Sequence, residues 1–189
     1  MNTISKNEEN IIILKKSKFI CKVYYVSDVD EINNILNDLK SKYKDATHIC
    51  YAYVVDNKEK AYDDGEPSKT AGMPILEILK KKDLKNVLCV VIRYFGGIKL
   101  GAGGLIRAYS NSVRETIDKV DIIPYKKYIE ISIESNYDNK KLLEAITKDY
   151  EVISKDYKDT IVYRIRLEES LKNDLLSKIK DTSIRIWVV

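Results

Sequence analysis

Apolar residues recur at two different spacings along this chain, and those spacings sort it into strands and helices. Residues 11–15 and 19–26, with polar positions alternating among Ile20, Val23 and the tyrosines, predict two antiparallel strands joined at Lys16-Ser17-Lys18. Behind Asp28 or Asp30 as N-cap, Val29, Ile32, Ile35, Leu36 and Leu39 repeat at helical spacing, so a helix is expected to about Tyr43. The aromatic, β-branched run at 47–55 predicts a strand that leads into a polar segment, residues 56–72, read as one long loop. Pro74 suits the first turn of a helix that carries Ile75, Leu76, Ile78 and Leu79 and ends in Lys80-Lys81-Lys82, where cations favour a helix C-terminus.

The next stretch organises the rest. Val87-Leu88-Cys89-Val90-Val91-Ile92 is unbroken apolar sequence, a buried strand, and a helix begins near Leu105. Between them lie five of the chain's seven glycines: Gly96, Gly97, Gly101, Gly103 and Gly104. Glycine loses more conformational freedom on folding than any other residue, so this concentration needs a local reason. Either a ligand or partner approaches the backbone, or the chain packs tightly there. The helix after the glycines places Ile106, Tyr109, Val113 and Ile117 on one face and Arg107, Ser110, Asn111 and Arg114 on the other. Residues 93–114 hold the cations Arg93, Lys99, Arg107 and Arg114 and no carboxylate.

Near Asp121-Ile122-Ile123-Pro124 the pattern changes again. The remainder of the chain reads strand (127–134), helix (138–150), strand (151–155), strand (160–167), helix (170–180), strand (183–188), with a hairpin turn at 154–159. That βαββαβ order is the ferredoxin-like split unit, so two domains are expected, 1–123 and 124–189. The fold class is α+β.

Composition narrows the function classes only modestly. A net charge of +4 over 189 residues is too mild to establish nucleic-acid binding, although 33% charged residues leaves room for a basic face. Cys21, Cys50 and Cys89 form no CxxC pair and sit in apolar segments, which suits reduced, buried thiols. No apolar run reaches membrane-spanning length and the N-terminus lacks signal-peptide regions, so a cytoplasmic protein with no membrane partner is expected.

Three constellations could carry chemistry. A strand, a glycine turn and a helix N-terminus can hold an anion on backbone amides. The nucleotide fingerprints fail, however: Gly101 is followed by Ala102 rather than the Lys-Ser/Thr of a phosphate loop, and GxGxxG from Gly101 would need glycine at Ile106. In Asp63-Asp64-Gly65-Glu66-Pro67-Ser68, the carboxylates Asp63, Asp64 and Glu66 are near enough to share a Mg²⁺ or act as acid and base, while Asp-Gly and Glu-Pro also explain turns. His48, the sole histidine, shares a strand face with Cys50, although nothing in the sequence orients it. Tyr94 and Tyr109, inside the basic stretch, are candidate stacking rings.

These same residues carry a likeness. His48 with Cys50-Tyr51-Ala52-Tyr53, residues 63–68 with Thr70-Ala71-Gly72 and Pro74, and residues 93–110 together resemble the IMPACT/YigZ family. The resemblance implies an N-terminal domain like elongation factor G domain IV (ribosomal protein domain 2-like), a sheet with helices on one face. It also implies a C-terminal ferredoxin-like domain similar to later domains of elongation factor G. Eukaryotic members act in translational control through an additional N-terminal domain without counterpart in this sequence, so that pathway role is not expected to transfer. For bacterial-type members, a nucleic-acid or ribosome-associated role is suggested by fold analogy. Lys69 stands where the family usually has glycine, which implies a less tightly turned acidic loop.

The expected function is therefore a translation-related regulatory or accessory factor that binds RNA or the ribosome. Its surface would comprise Arg93, Tyr94, Gly96, Gly97, Lys99, Gly101, Gly103, Gly104, Arg107, Tyr109 and Arg114, without cofactor or metal. An enzyme acting on an anionic small molecule through Asp63, Asp64, Glu66 and His48 is the alternative, and it requires the acidic and glycine loops to form one pocket. A protein-interaction module using the same surface is the third class.

Overall fold

The computed structural model describes residues 1–180 and 182–189 and divides into two compact units, Met1–Tyr125 and Lys126–Val189. In chain order the first unit contains β1 (Asn2–Ile4), β2 (Glu8–Leu14), β3 (Ser17–Tyr25), α1 (Val29–Lys42), β4 (His48–Val55) and β5 (Lys58–Tyr62). It continues with α2 (Gly72–Lys81), β6 (Val87–Tyr94), α3 (Ala102–Ile117) and β7 (Ile122–Pro124). Five of these strands form an antiparallel sheet in the order β2-β3-β6-β4-β5, and β1 pairs separately with β7. Because β7 is held by β1, the first unit runs past residue 123 to Tyr125.

β6 lies at the centre of the sheet, and its composition dictates what surrounds it. Alternate side chains of a strand point to opposite faces, so an uninterrupted apolar run needs cover on both. Cys89 and Val91 pack with Phe19, Cys21, Cys50 and Ala52 beneath α2 and α3. Leu88, Val90 and Ile92 pack on the other face with Ile20, Ile49 and Tyr51 beneath Ile32, Leu36 and Leu39 of α1. Helices therefore cover both faces of this sheet, not one. Asp28 caps α1 as its sequence suggests, its carboxylate accepting the Glu31 N–H at 2.8 Å.

The polar segment 56–72 is shorter as a loop than its composition implies. It opens with a tight turn at Asp56, where φ is +51°, and then forms β5, whose Lys58, Glu59 and Lys60 are exposed. β5 is an edge strand, and charged residues blunt such an edge while hiding the apolar alternation that would mark a strand. At the opposite edge, β2 and β3 turn at Lys15-Lys16, both with positive φ. Gly96 fits against that turn: a Cβ there would lie 2.0 Å from the Lys16 carbonyl carbon.

The second unit comprises β8 (Tyr128–Ser135), α4 (Lys140–Thr147), β9 (Glu151–Tyr157), β10 (Ile161–Glu168), α5 (Lys172–Ile179) and β11 (Arg185–Val188), with a 3₁₀ turn preceding each helix. Its antiparallel sheet has the order β11-β8-β10-β9. Leu143, Ile146, Leu175 and Ile179 of the two helices pack with Ile131, Ile133, Tyr163 and Ile165 on one face. No helix among the described residues is long and apolar enough to cross a membrane.

Gly96→Ala should destabilise the fold by about 1–3 kcal/mol, because its neighbour is backbone and cannot swing away. Gly103→Ala has a helical position and meets only the flexible end of Arg107, at an ordinary contact distance of 3.8 Å, and should be neutral or stabilising by up to about 1 kcal/mol. Urea unfolding of the two variants checks the contrast.

Candidate functional site

The site is assembled where the end of β6, the start of β4 and the acidic loop meet the N-terminus of α3. Asp63 ties the acidic loop to α2: its carboxylate accepts the N–H groups of Lys69 (2.8 Å), Ala71 (3.0 Å) and Gly72 (2.8 Å). These bonds satisfy amides at a helix start whose capping residue, Ala71, brings no side-chain acceptor. Asp64 clasps β4, with Oδ2 accepting the Ile49 N–H at 2.6 Å. The two aspartates are thus occupied in building the loop, and no group of three or more His, Cys, Asp or Glu among the described residues is arranged to hold a metal ion. A shared Mg²⁺ site on Asp63, Asp64 and Glu66 is not what the loop forms. Lys69 adopts φ +63° and donates its N–H to Asp63, so the loop turns tightly despite the side chain.

Glu66 is turned inward and is 7% exposed. Its Oε1 accepts Arg93 Nη1 at 2.6 Å and the Tyr109 hydroxyl at 2.8 Å. Arg93, 5% exposed, lies against the rings of Phe19 and Phe95 at 5.4 and 5.6 Å, and its Nη2 reaches Ser17 Oγ at 3.4 Å. Tyr109 is fully buried and meets Phe19 edge-on. Both are bonded to Glu66 Oε1, and Arg93 also lines the cleft between the acidic and glycine loops. Arg93 is paired internally, and the ring of Tyr109 is core.

His48 has a defined tautomer. Its Nδ1 lies 2.7 Å from the Asp64 carbonyl oxygen, which can only accept, so Nδ1 carries the proton. Nε2 lies 3.8 Å from Oε2 of Glu66. The Asp64 carbonyl therefore supplies the orientation that the sequence alone did not reveal. Cys50 is a different case. Its Sγ contacts the Asp63 carbonyl (3.0 Å) and the Tyr109 hydroxyl (3.3 Å), and burial pushes the thiol well above its ordinary range. Burial acts the same way on the Tyr109 phenol. Cys50 is a structural thiol, not a nucleophile.

The acidic and glycine loops do share one cleft, of about 420 Å³, lined by His48, Glu66, Arg93, Phe95, Lys99 and Gly101 among others. Gly101 stands before α3 at φ +71° with no side chain to cap the helix. The first helical bond runs from the Leu105 N–H to the Gly101 carbonyl at 2.9 Å, and the first turn contains no acidic residue. The amides of Ala102, Gly103 and Gly104 belong to that uncapped turn.

Among the remaining sequence-selected positions, Lys99, Arg107 and Arg114 are exposed and form no ion pair among the described residues. Gly97, Gly101 and Gly103 are exposed, whereas Gly96 is packed on the Lys16 turn and Gly104 on Leu100. Tyr94 donates its hydroxyl to Asp45 at 3.0 Å. Sequence reasoning missed Ser17 and Thr47, whose hydroxyl oxygens accept the N–H groups of Gly96 (3.1 Å) and Phe95 (2.9 Å) and so fix the glycine loop's first residues. Small hydroxyl residues at strand ends carry no periodic signal.

The model of the Impact N-terminal domain matches residues 15–117. IMPACT family member YvyE of Bacillus subtilis is 39% identical over 176 residues, 90% of this chain and 81% of that protein. YigZ of Escherichia coli is 29% identical over 177 residues, covering 90% of this chain and 87% of its own. A solved structure described as that of a hypothetical protein has a TM-score of 0.73 and 26% identity, covering 100% of this chain and 96% of the other. The protein is a two-unit, mixed α/β chain built around a buried Glu66–Arg93 pair. It belongs to the IMPACT family.

Tyr109→Phe removes one donor from Glu66 and should cost about 1–3 kcal/mol in denaturant unfolding. The Cys50 thiol, raised on folding, contributes stability that is complete below its unfolded value of 9.0 and declines as pH rises above it. Cys50→Ala should therefore lose stability less steeply than the parent between pH 9 and 10, measured by urea midpoint against pH.

Proposed function

We propose that this protein is a translation-related regulatory or accessory factor that binds RNA or the ribosome through the basic face of its glycine loop. The observation that carries the reading is the exposure of Lys99, Arg107 and Arg114 beside three solvent-facing glycines, in a stretch without a carboxylate. A phosphate backbone is attracted by such unmatched cations, and glycines let it approach the main chain. Lys15 and Lys16 extend this face, because Gly96 seats their turn directly on the loop. Membership of the IMPACT family, whose eukaryotic members act in translational control, sets the context. On this reading the first unit is an elongation factor G domain IV-like module and the second a ferredoxin-like one.

The enzyme reading keeps one specific support, the shared cleft with His48 and Glu66. With Asp63 and Asp64 engaged by backbone, it would rest on those two groups alone.

Lys99→Glu combined with Arg107→Glu should weaken binding to purified ribosomes or structured RNA by at least about tenfold at moderate salt and flatten the salt dependence. Unchanged affinity overturns the RNA reading. Salt-insensitive capture that survives nuclease would indicate a protein partner instead.

A further inference from the structure

We infer that the protein forms a symmetric dimer in solution, in which β2 of one copy pairs antiparallel with β2 of a second and joins their five-stranded sheets. This contact goes beyond the RNA-facing reading of the glycine loop and does not depend on it.

β2 ends the strand order β2-β3-β6-β4-β5, so its backbone is paired on one side and open on the other. Lys15 and Lys16, both at positive φ, form the turn to β3, and Leu14 stands opposite Ser17. The pair that flanks a two-residue turn is hydrogen-bonded, and such pairs alternate along an antiparallel ladder. Asn10, Ile12 and Leu14 therefore bond β3, while Glu9, Ile11 and Ile13 turn their N–H and C=O groups to the open side. The Glu9 N–H is accordingly donated to the Glu8 side chain, at 2.9 Å. Ile11 lies opposite Ile20, which packs beneath α1, so Ile11 and Ile13 share that face of the sheet. α1 leaves them 46% and 74% exposed. The opposite edge, β5, is guarded by Lys58, Glu59 and Lys60, whereas the middle of β2 offers bare isoleucines beside open backbone, the arrangement that accepts another strand.

The strand that fits this edge is β2 itself, because its charges are self-complementary. Residues 8–16 read Glu-Glu-Asn-Ile-Ile-Ile-Leu-Lys-Lys, with acids at one end, lysines at the other and apolar residues between. A parallel pairing would set like charges side by side, whereas an antiparallel one sets the acids of each copy toward the lysines of the other. Glu8 and Glu9 also pair with Lys6 and Lys22 of their own chain, so across the dimer charge fixes orientation more than it adds strength. The register follows from the open backbone groups. With the two-fold axis at Ile12, Ile11 and Ile13 exchange hydrogen bonds with Ile13 and Ile11 of the second copy, and the exposed isoleucines of both chains meet on the α1 side. Glu9 then stands toward the second copy's Lys15. An axis at Ile11 would instead set Ile13 against Glu9, desolvating a carboxylate beside an apolar side chain. Lys15 serves both this contact and the basic face, while Lys99, Arg107 and Arg114 take no part in the ladder.

Sedimentation of the full chain without RNA, over a concentration series through the micromolar range, tests the contact. A monomer–dimer equilibrium is expected. Ile13→Lys should weaken it by about tenfold or more, since a lysine on the open edge is charged where the second copy's Ile11 must pack. Ile13 is mostly exposed, so the urea midpoint of this variant should stay at the parent value and show that the fold is intact. In a mixed sample of isotopically labelled and unlabelled chains, intermolecular methyl contacts should join Ile11 of one copy to Ile13 of the other. A monomer at every concentration, a dimer unmoved by Ile13→Lys, or intermolecular contacts that lack the Ile11–Ile13 pair overturns the inference. A dimer that forms only when RNA is added overturns it as well, because the strand edge would not suffice.

Discussion

A single buried ion pair holds the functional half of this molecule together. Arg93 at the end of β6 and Glu66 in the acidic loop are both more than nine-tenths buried and meet at 2.6 Å. Desolvating two charges costs several kcal/mol per ion, and their attraction compensates only where geometry is close and the remaining groups are bonded. Here Tyr109 and Ser17 supply bonds and the rings of Phe19 and Phe95 flank the guanidinium, while Arg93 Nε stays buried without a hydrogen-bond partner among the described residues. Removing either partner would leave the other charge uncompensated, a loss of about 3–5 kcal/mol. The pair fastens a loop to a sheet, and the cleft exists because it does so.

The roles of neighbouring residues are set by that commitment. With Arg93 turned inward, the outward charge of the glycine stretch falls to Lys99, Arg107 and Arg114. With Glu66 holding Arg93 by one oxygen, its second lies 3.8 Å from His48 Nε2. Asp63 and Asp64 spend their acceptors on amides of α2 and β4, which is why three adjacent acids form a scaffold rather than a metal site.

Much of this was legible in residue pattern. The helical spacing of Ile32, Leu36 and Leu39, the glycine break after β6 and the βαββαβ order of the second unit correspond to observed elements. What escaped did so for physical reasons. β5 reads as loop because an edge strand shows charge on its alternate positions. Helices on both sheet faces were implicit in the unbroken run of β6, but a family likeness suggesting one face obscured it. The site was half visible: Glu66, His48 and the glycine loop stood out, whereas burial of Arg93 and Tyr109 depends on a pairing across 27 and 43 residues that no local pattern encodes. The tautomer of His48 depends likewise on a backbone carbonyl, which sequence cannot display.

The central claim is that this protein meets RNA with the glycine loop and the start of α3. Backbone amide chemical-shift mapping of the full chain during titration with a short structured RNA tests it most directly. The account predicts the largest shifts at residues 95–107, with smaller ones at Lys15 and Lys16 and the α1 face of the sheet unmoved. Shifts confined to α1 or to the second unit, with residues 95–107 silent, would contradict it.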